Sequence, residues 1–129
     1  MRKSKSNPPR YRIAQYWDKQ NLIETSNGQS WNPMIDVGEP SCQACGCYNG
    51  EWDTGEFEEN NQKHNNLILK QRWDNSGLER CHIIADEFGG SNSVENLLLL
   101  CRQCHVAFDF EVYISDNKDI QKVYDWLQN

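Results

Sequence analysis

Two pairs of cysteines stand at a spacing that suits a metal ion. Cys42-Gln43-Ala44-Cys45 and Cys101-Arg102-Gln103-Cys104 are both C-x2-C, the separation at which a tight turn aims two sulfurs at one point. Four thiolates complete a tetrahedron and leave no position for water, so the expectation is a closed structural Zn2+ that contributes folding free energy. Disulfides are the competing reading of the same pairs, and Cys47, just past the first, reads as a spare thiol. Beside the second pair, His105 follows Cys104. On a helix it is turned about 100° from its neighbour, and Asp109, four residues on, shares its face. An imidazole and a carboxylate so stacked can chelate a second divalent cation; the bland reading of Asp109 is a solvated helix acid.

The rest of the chain must position these groups with little apolar material. It has 129 residues, 37% hydrophobic and 25% charged, and its mean hydropathy is −0.87. That suits one small domain whose core a bound metal supplements, and no apolar run is long enough for a membrane span. The basic start MRKSKSNPPRYR is not followed by the apolar segment of a secretory signal, so reduced thiols and a cytoplasmic setting are expected. Charge is polarised. Arg2, Lys3, Lys5, Arg10 and Arg12 put five cations and no acid in residues 1–12, leaving eight basic against 19 acidic residues in 13–129, a balance of −11 within a net charge of −6. Residues 1–12 read as a polyanion-seeking arm and 13–129 as a single domain.

Within that domain the pattern predicts a helix from Pro9 to Asn21, carrying Ile13, Tyr16 and Trp17. Residues 24–41 read as a connecting loop pinned by Trp31, and 48–66, acidic and then Asn-rich, as an exposed insertion. Leu67 to Trp73 reads as a short helix, with strand as the alternative. Strands are expected over Leu78 to Ile84 and Leu97 to Leu100, separated by a turn-rich loop that holds Gly89-Gly90. A last helix, capped by Asp116 or Asn117, presents Ile120, Val123, Tyr124 and Leu127. The 55 residues between the cysteine pairs exceed a compact zinc ribbon, and the second pair falls where a strand becomes a helix, a treble-clef layout. The fold class is therefore α+β: a small zinc-stabilised unit with an N-terminal and a C-terminal helix.

The segment LERCHIIADEFGGSNSVENLLLLCRQCH resembles the HNH, or ββα-metal, endonuclease motif in the branch with two zinc-binding cysteine pairs. The likeness lies in a histidine within a strand, a Gly-Gly loop, Asn-Leu leading into the second strand, and the C-x2-C-H junction to a helix. It spans about Cys42 to Asp109, 68 of 129 residues. The resemblance implies that His82 is the general base, that Asn96 braces the loop and orients that base, and that His105 is a metal ligand, with Asp109 where a further ligand can occur. The family usually has a metal-binding residue before the base; here it is Cys81. As a thiolate Cys81 would favour metals softer than Mg2+; as a buried apolar residue, the expected state, it binds nothing. Mg2+ would then rest on His105, Asp109, substrate phosphate and water, with Glu79 or Asp86 as substitutes.

The implied reaction is hydrolysis of DNA to a 5′ phosphate and a 3′ hydroxyl. An imidazole can take a proton from water at neutral pH where Lys or Arg cannot, and an amide at Asn96 can donate and accept at once. Duplex DNA is the expected substrate, with Arg80, Arg102 and the arm contacting phosphates. One site cuts one strand, so a double-strand break would require a homodimer or two successive nicks, and the acidity of the core points to a larger nuclease complex as a further expected partner, in restriction, homing or phage defence. The alternatives are an RNA-cutting enzyme of the same chemistry and a silent zinc treble clef that binds DNA or protein. Convergence of His82, Asn96 and His105 on one pocket separates an enzyme from that silent module.

Overall fold

Pro9 holds extended backbone and lacks an N–H, which makes it a natural start for α1 (Arg10–Asp18). The computed structural model describes residues 7–26, 28–33, 36–47 and 55–128. Arg2, Lys3 and Lys5 of the arm, and residues 48–54 of the expected insertion, lie outside that set. Helix α1 buries Ile13, Ala14 and Trp17.

The segment expected to be a plain loop forms a two-stranded ribbon, β1 (Ile23–Glu24) with β2 (Ser30–Trp31). Its turn is closed by Thr25, whose N–H and hydroxyl both donate to the Gln29 carbonyl, at 2.9 and 3.1 Å. Trp31 is buried and stacks on Tyr124 at 6.1 Å. Two paired residues per strand are too few to leave an alternation that a sequence could reveal.

Helix α2 (Gln62–Asp74) begins five residues before its expected start and takes in the end of the Asn-rich stretch. Asparagine chemistry sets that start. The Asn61 side chain accepts from His64 N at 3.1 Å, and Asn65 ties both its amide ends to the Glu58 backbone. The helix buries only Ile68 and Trp73, so its apolar periodicity is faint.

The centre is the antiparallel pair β3 (Glu79–His82) and β4 (Leu97–Leu100), in register Glu79 to Leu100 and His82 to Leu97. All four leucines of β4 are fully buried. Trp17 on α1 donates its indole N–H to the Leu97 carbonyl at 2.8 Å. Opposite β3, the first cysteine turn docks through Gln43, whose N–H donates to Leu99 O at 2.9 Å and whose Oε1 accepts from Leu99 N at 2.7 Å. Helix α3 (Arg102–Glu111) starts directly after β4 and buries Phe108. Asp116 caps the 3-10 turn Asn117–Asp119, accepting from Lys118 N at 2.8 Å, and α4 (Ile120–Gln128) follows, burying Val123 and Leu127. Four helices and two small antiparallel sheets, among the described residues, make an α+β domain. None of the described helices is long and apolar enough to cross a membrane.

Candidate metal centre and active site

The two cysteine turns meet. The sulfurs of Cys42, Cys45, Cys101 and Cys104 all lie within 4.8 Å of one another, and Cys45 Sγ is 3.8 Å from Cys101 Sγ. Tetrahedral zinc with bonds of about 2.3 Å would set its sulfurs about 3.8 Å apart, so the donor set and spacing fit that ion. Burial, then bonding to Cys101 and the charge of Cys42, push the Cys104 thiol up. Thiols so crowded resist joint ionisation until a cation shares the charge. Cys47 stands outside the four-sulfur group. Its thiol lies 3.0 Å from Cys45 Sγ, a contact that raises it to about 12, and its carbonyl accepts from Cys42 N to close the turn. Burial opposes ionisation of Cys45, but hydrogen bonding with the Cys47 side chain and backbone and with Cys104 and Cys42 together outweighs it and brings that thiol to about 7.

The strand-to-helix junction builds the second cluster. His82, at the end of β3, and His105 and Asp109, on α3, line one open cavity of about 350 Å³ together with Asp86, Glu87 and Tyr113. His105 Nδ1 lies 2.8 Å from Glu79 Oε1, so the imidazole donates there and its Nε2 is left for a ligand. The hydrogen bond from His105, aided by Arg102 at 3.2 Å, holds the Glu79 carboxyl below its ordinary range. A carboxylate behind a metal-binding histidine is the usual arrangement for fixing its tautomer and aim. Glu79, suggested by the sequence as a substitute ligand, bonds His105 and is absent from the cavity wall; no spacing rule could show which nitrogen it would meet.

Asn96 braces the loop between the strands. It is 8% exposed; its Oδ1 accepts from Ile84 N at 2.9 Å, and its Nδ2 donates to Ile84 O at 3.2 Å and Ser91 O at 2.9 Å. The loop closes tightly around it. Gly89 has φ +87°, and a Cβ on Gly90 would sit 1.7 Å from the Ile84 carbonyl oxygen, so only glycine fits there. Asn96 itself does not line the cavity, but it fixes the backbone that follows His82.

Cys81 is 1% exposed, packs in the core and is absent from the cavity wall; burial, then the charge of Asp109, pushes its thiol up. These observations match the expected buried state. Of the basic residues, Arg10 Nε donates to Leu78 O at 2.6 Å and Arg80 Nε to Pro8 O at 2.9 Å, so both fasten the N-terminal segment to β3. Burial, then Arg10, lowers the Arg80 pKa. Arg12 and Arg102 are exposed.

Fold and site together define a small α+β domain clamped by two cysteine turns, with two histidines and three carboxylates gathered at a neighbouring cavity. Residues 42–112, from the first cysteine turn past the end of α3, match the family model described as HNH endonuclease. The match covers more than half of the chain, and the chain belongs to the HNH endonuclease family. No curated protein and no solved structure matches it significantly.

Proposed function

We propose that this protein is a metal-dependent endonuclease that hydrolyses phosphodiester bonds of duplex DNA, built on a treble-clef scaffold closed by Zn2+. The observation that carries the reading is that His82, His105 and Asp109 line one cavity although 23 and 27 residues separate the two α3 positions from His82. Asn96, expected to share that cavity, stands behind its wall, but a silent zinc module has no need of the convergence that His82 and His105 do make.

In this reading Cys42, Cys45, Cys101 and Cys104 hold the zinc, and His105 and Asp109 hold a divalent cation such as Mg2+. Two protein ligands suit Mg2+, which keeps waters and leans on substrate phosphates. When bound, that cation supplies neutralisation of charge on the phosphate and on the departing 3′ oxygen. His82 takes the proton from the attacking water, Asn96 holds the loop that places it, and Glu79 keeps the His105 imidazole aimed at the cavity. Arg12, Arg102 and the N-terminal arm supply phosphate contacts.

The test is incubation of the purified protein with supercoiled plasmid in Mg2+, Mn2+ or chelator. Nicked circles should accumulate before linear product, and only with the divalent ion. His82→Ala should keep fold and zinc yet lose at least about 100-fold in rate, the usual worth of a general base. Undiminished cutting by His82→Ala would remove that residue from the mechanism, and an inert wild type across all metals would favour the binding module.

A further inference from the structure

His82 does not stand alone at its end of β3. Its Nε2 lies 2.7 Å from Asn92 Oδ1, and Asn92 Nδ2 donates to Asn7 Oδ1 at 2.9 Å. Three side chains from the N-terminal segment, the hairpin loop and β3 therefore form one chain of hydrogen bonds. Each link is held from behind. Ser91, next to Asn92, gives its carbonyl to Asn96 Nδ2, and its hydroxyl accepts from Ser93 N at 3.3 Å. Asn7 precedes Pro8, whose carbonyl receives Arg80, while Arg10 reaches Leu78 from the first turn of α1.

We propose that Asn92, fixed by Asn7, is a positioning residue that sets the tautomer of His82, with the proton on Nε2 and the lone pair on Nδ1. The inference rests on the reading of His82 as the general base and adds what makes it one. The two ends of an amide differ: one only donates and the other only accepts. With its NH2 group committed to Asn7, Asn92 turns its oxygen to the imidazole. An oxygen there requires a donor, so the neutral ring carries its proton on Nε2. Nδ1 makes no hydrogen bond to protein among the described residues, and it is the nitrogen left to accept a proton from water. A base in the wrong tautomer would offer an N–H where a lone pair is required.

The geometry also gives the N-terminal segment a place in the chemistry. Arg10 and Arg80 pin it against β3, and that places Asn7 beside Asn92.

The experiment is 15N NMR of the imidazoles in the full-length zinc-loaded protein at alkaline pH, with plasmid kinetics on the same samples. In the wild type His82 should show a protonated-type Nε2 and a pyridine-type Nδ1. Asn92→Ala should mix the tautomers and lower kcat about tenfold, the worth of one hydrogen bond, with KM unchanged. Asn92→Asp keeps an acceptor and should retain the wild-type 15N pattern. Asn7→Ala, away from the packed loop, should shift the pattern in the same sense as Asn92→Ala. An Nδ1-protonated ring in the wild type, or an Asn92→Ala protein with unchanged 15N shifts and kcat, would overturn the proposal. Because the 15N pattern needs no turnover, a wild type with the expected tautomer that cuts nothing would fault the nuclease reading and not the relay.

Discussion

Glu79 is where a single charge decides how His105 can act. With Glu79 ionised, His105 donates through Nδ1 and presents Nε2; with it neutral or absent, the ring is free to turn. Glu79→Gln should lower cleavage by about 10- to 100-fold, in line with other losses behind a metal-binding histidine, and should raise the Mg2+ needed for half-maximal rate. The pH dependence has a definite sign. The bond from His105 holds the folded pKa of Glu79 down, so its contribution to stability is complete above the unfolded carboxylate value and is lost as pH falls through the lowered one. The difference in urea midpoint between wild type and Glu79→Gln should therefore be present at neutral pH and vanish on acidification. At this scale the sequence was partly legible. The types and spacings of Cys42, Cys45, Cys101, Cys104, His105 and Asp109 point to ligands, and the family likeness adds His82 and Asn96. Asn7 and Asn92 carry no such signal, because polar residues in loops are common and only the folded chain shows which amide meets which ring.

The loop between β3 and β4 shows how an element is specified by a few backbone demands. Gly90 N donates to Ala85 O at 3.1 Å, and the space where a Cβ would go is already filled by the Ile84 carbonyl. Gly90→Ala should push the loop open, break the Asn96 bonds and cost about 2 kcal/mol or more, with cleavage lost in parallel. Gly28→Ala is the matched control. Gly28 has φ +82°, and a Cβ there would meet nothing within 4 Å, so only backbone strain of about 1–2 kcal/mol is expected, with cleavage retained. Urea melts of both variants check the contrast. The glycine pair and the four-leucine run make this region readable from sequence, since turn chemistry and full burial each leave a local mark. The β1–β2 ribbon and the start of α2 leave none: the first is held by Trp31 packing against a distant Tyr124, the second by side chains of Asn61 and Asn65 in a stretch that reads as loop.

Across the whole molecule, charge sets the terms on which the proposed DNA substrate can be approached. The balance of −11 over residues 13–129 repels a phosphate backbone, and two cations of the arm, Arg10 and Arg12, already belong to α1. Replacing Arg2, Lys3 and Lys5 with Gln should weaken DNA binding and flatten its salt dependence, by about 0.9 in the log–log slope for each phosphate no longer neutralised. A filter-binding titration over a range of KCl concentrations checks this; an unchanged slope would mean that the arm touches no phosphate. The docking of the first cysteine turn through Gln43 has a further consequence. Gln43 occupies the side of β4 that faces away from β3, and it lies between Cys42 and Cys45, whose sulfurs gather with those of Cys101 and Cys104. Loss of the four-sulfur clamp would free the outward-facing backbone N–H and C=O of Leu99 on an otherwise buried apolar strand, a point at which strands of other molecules could pair, so the same clamp that orders the domain would also guard it against aggregation.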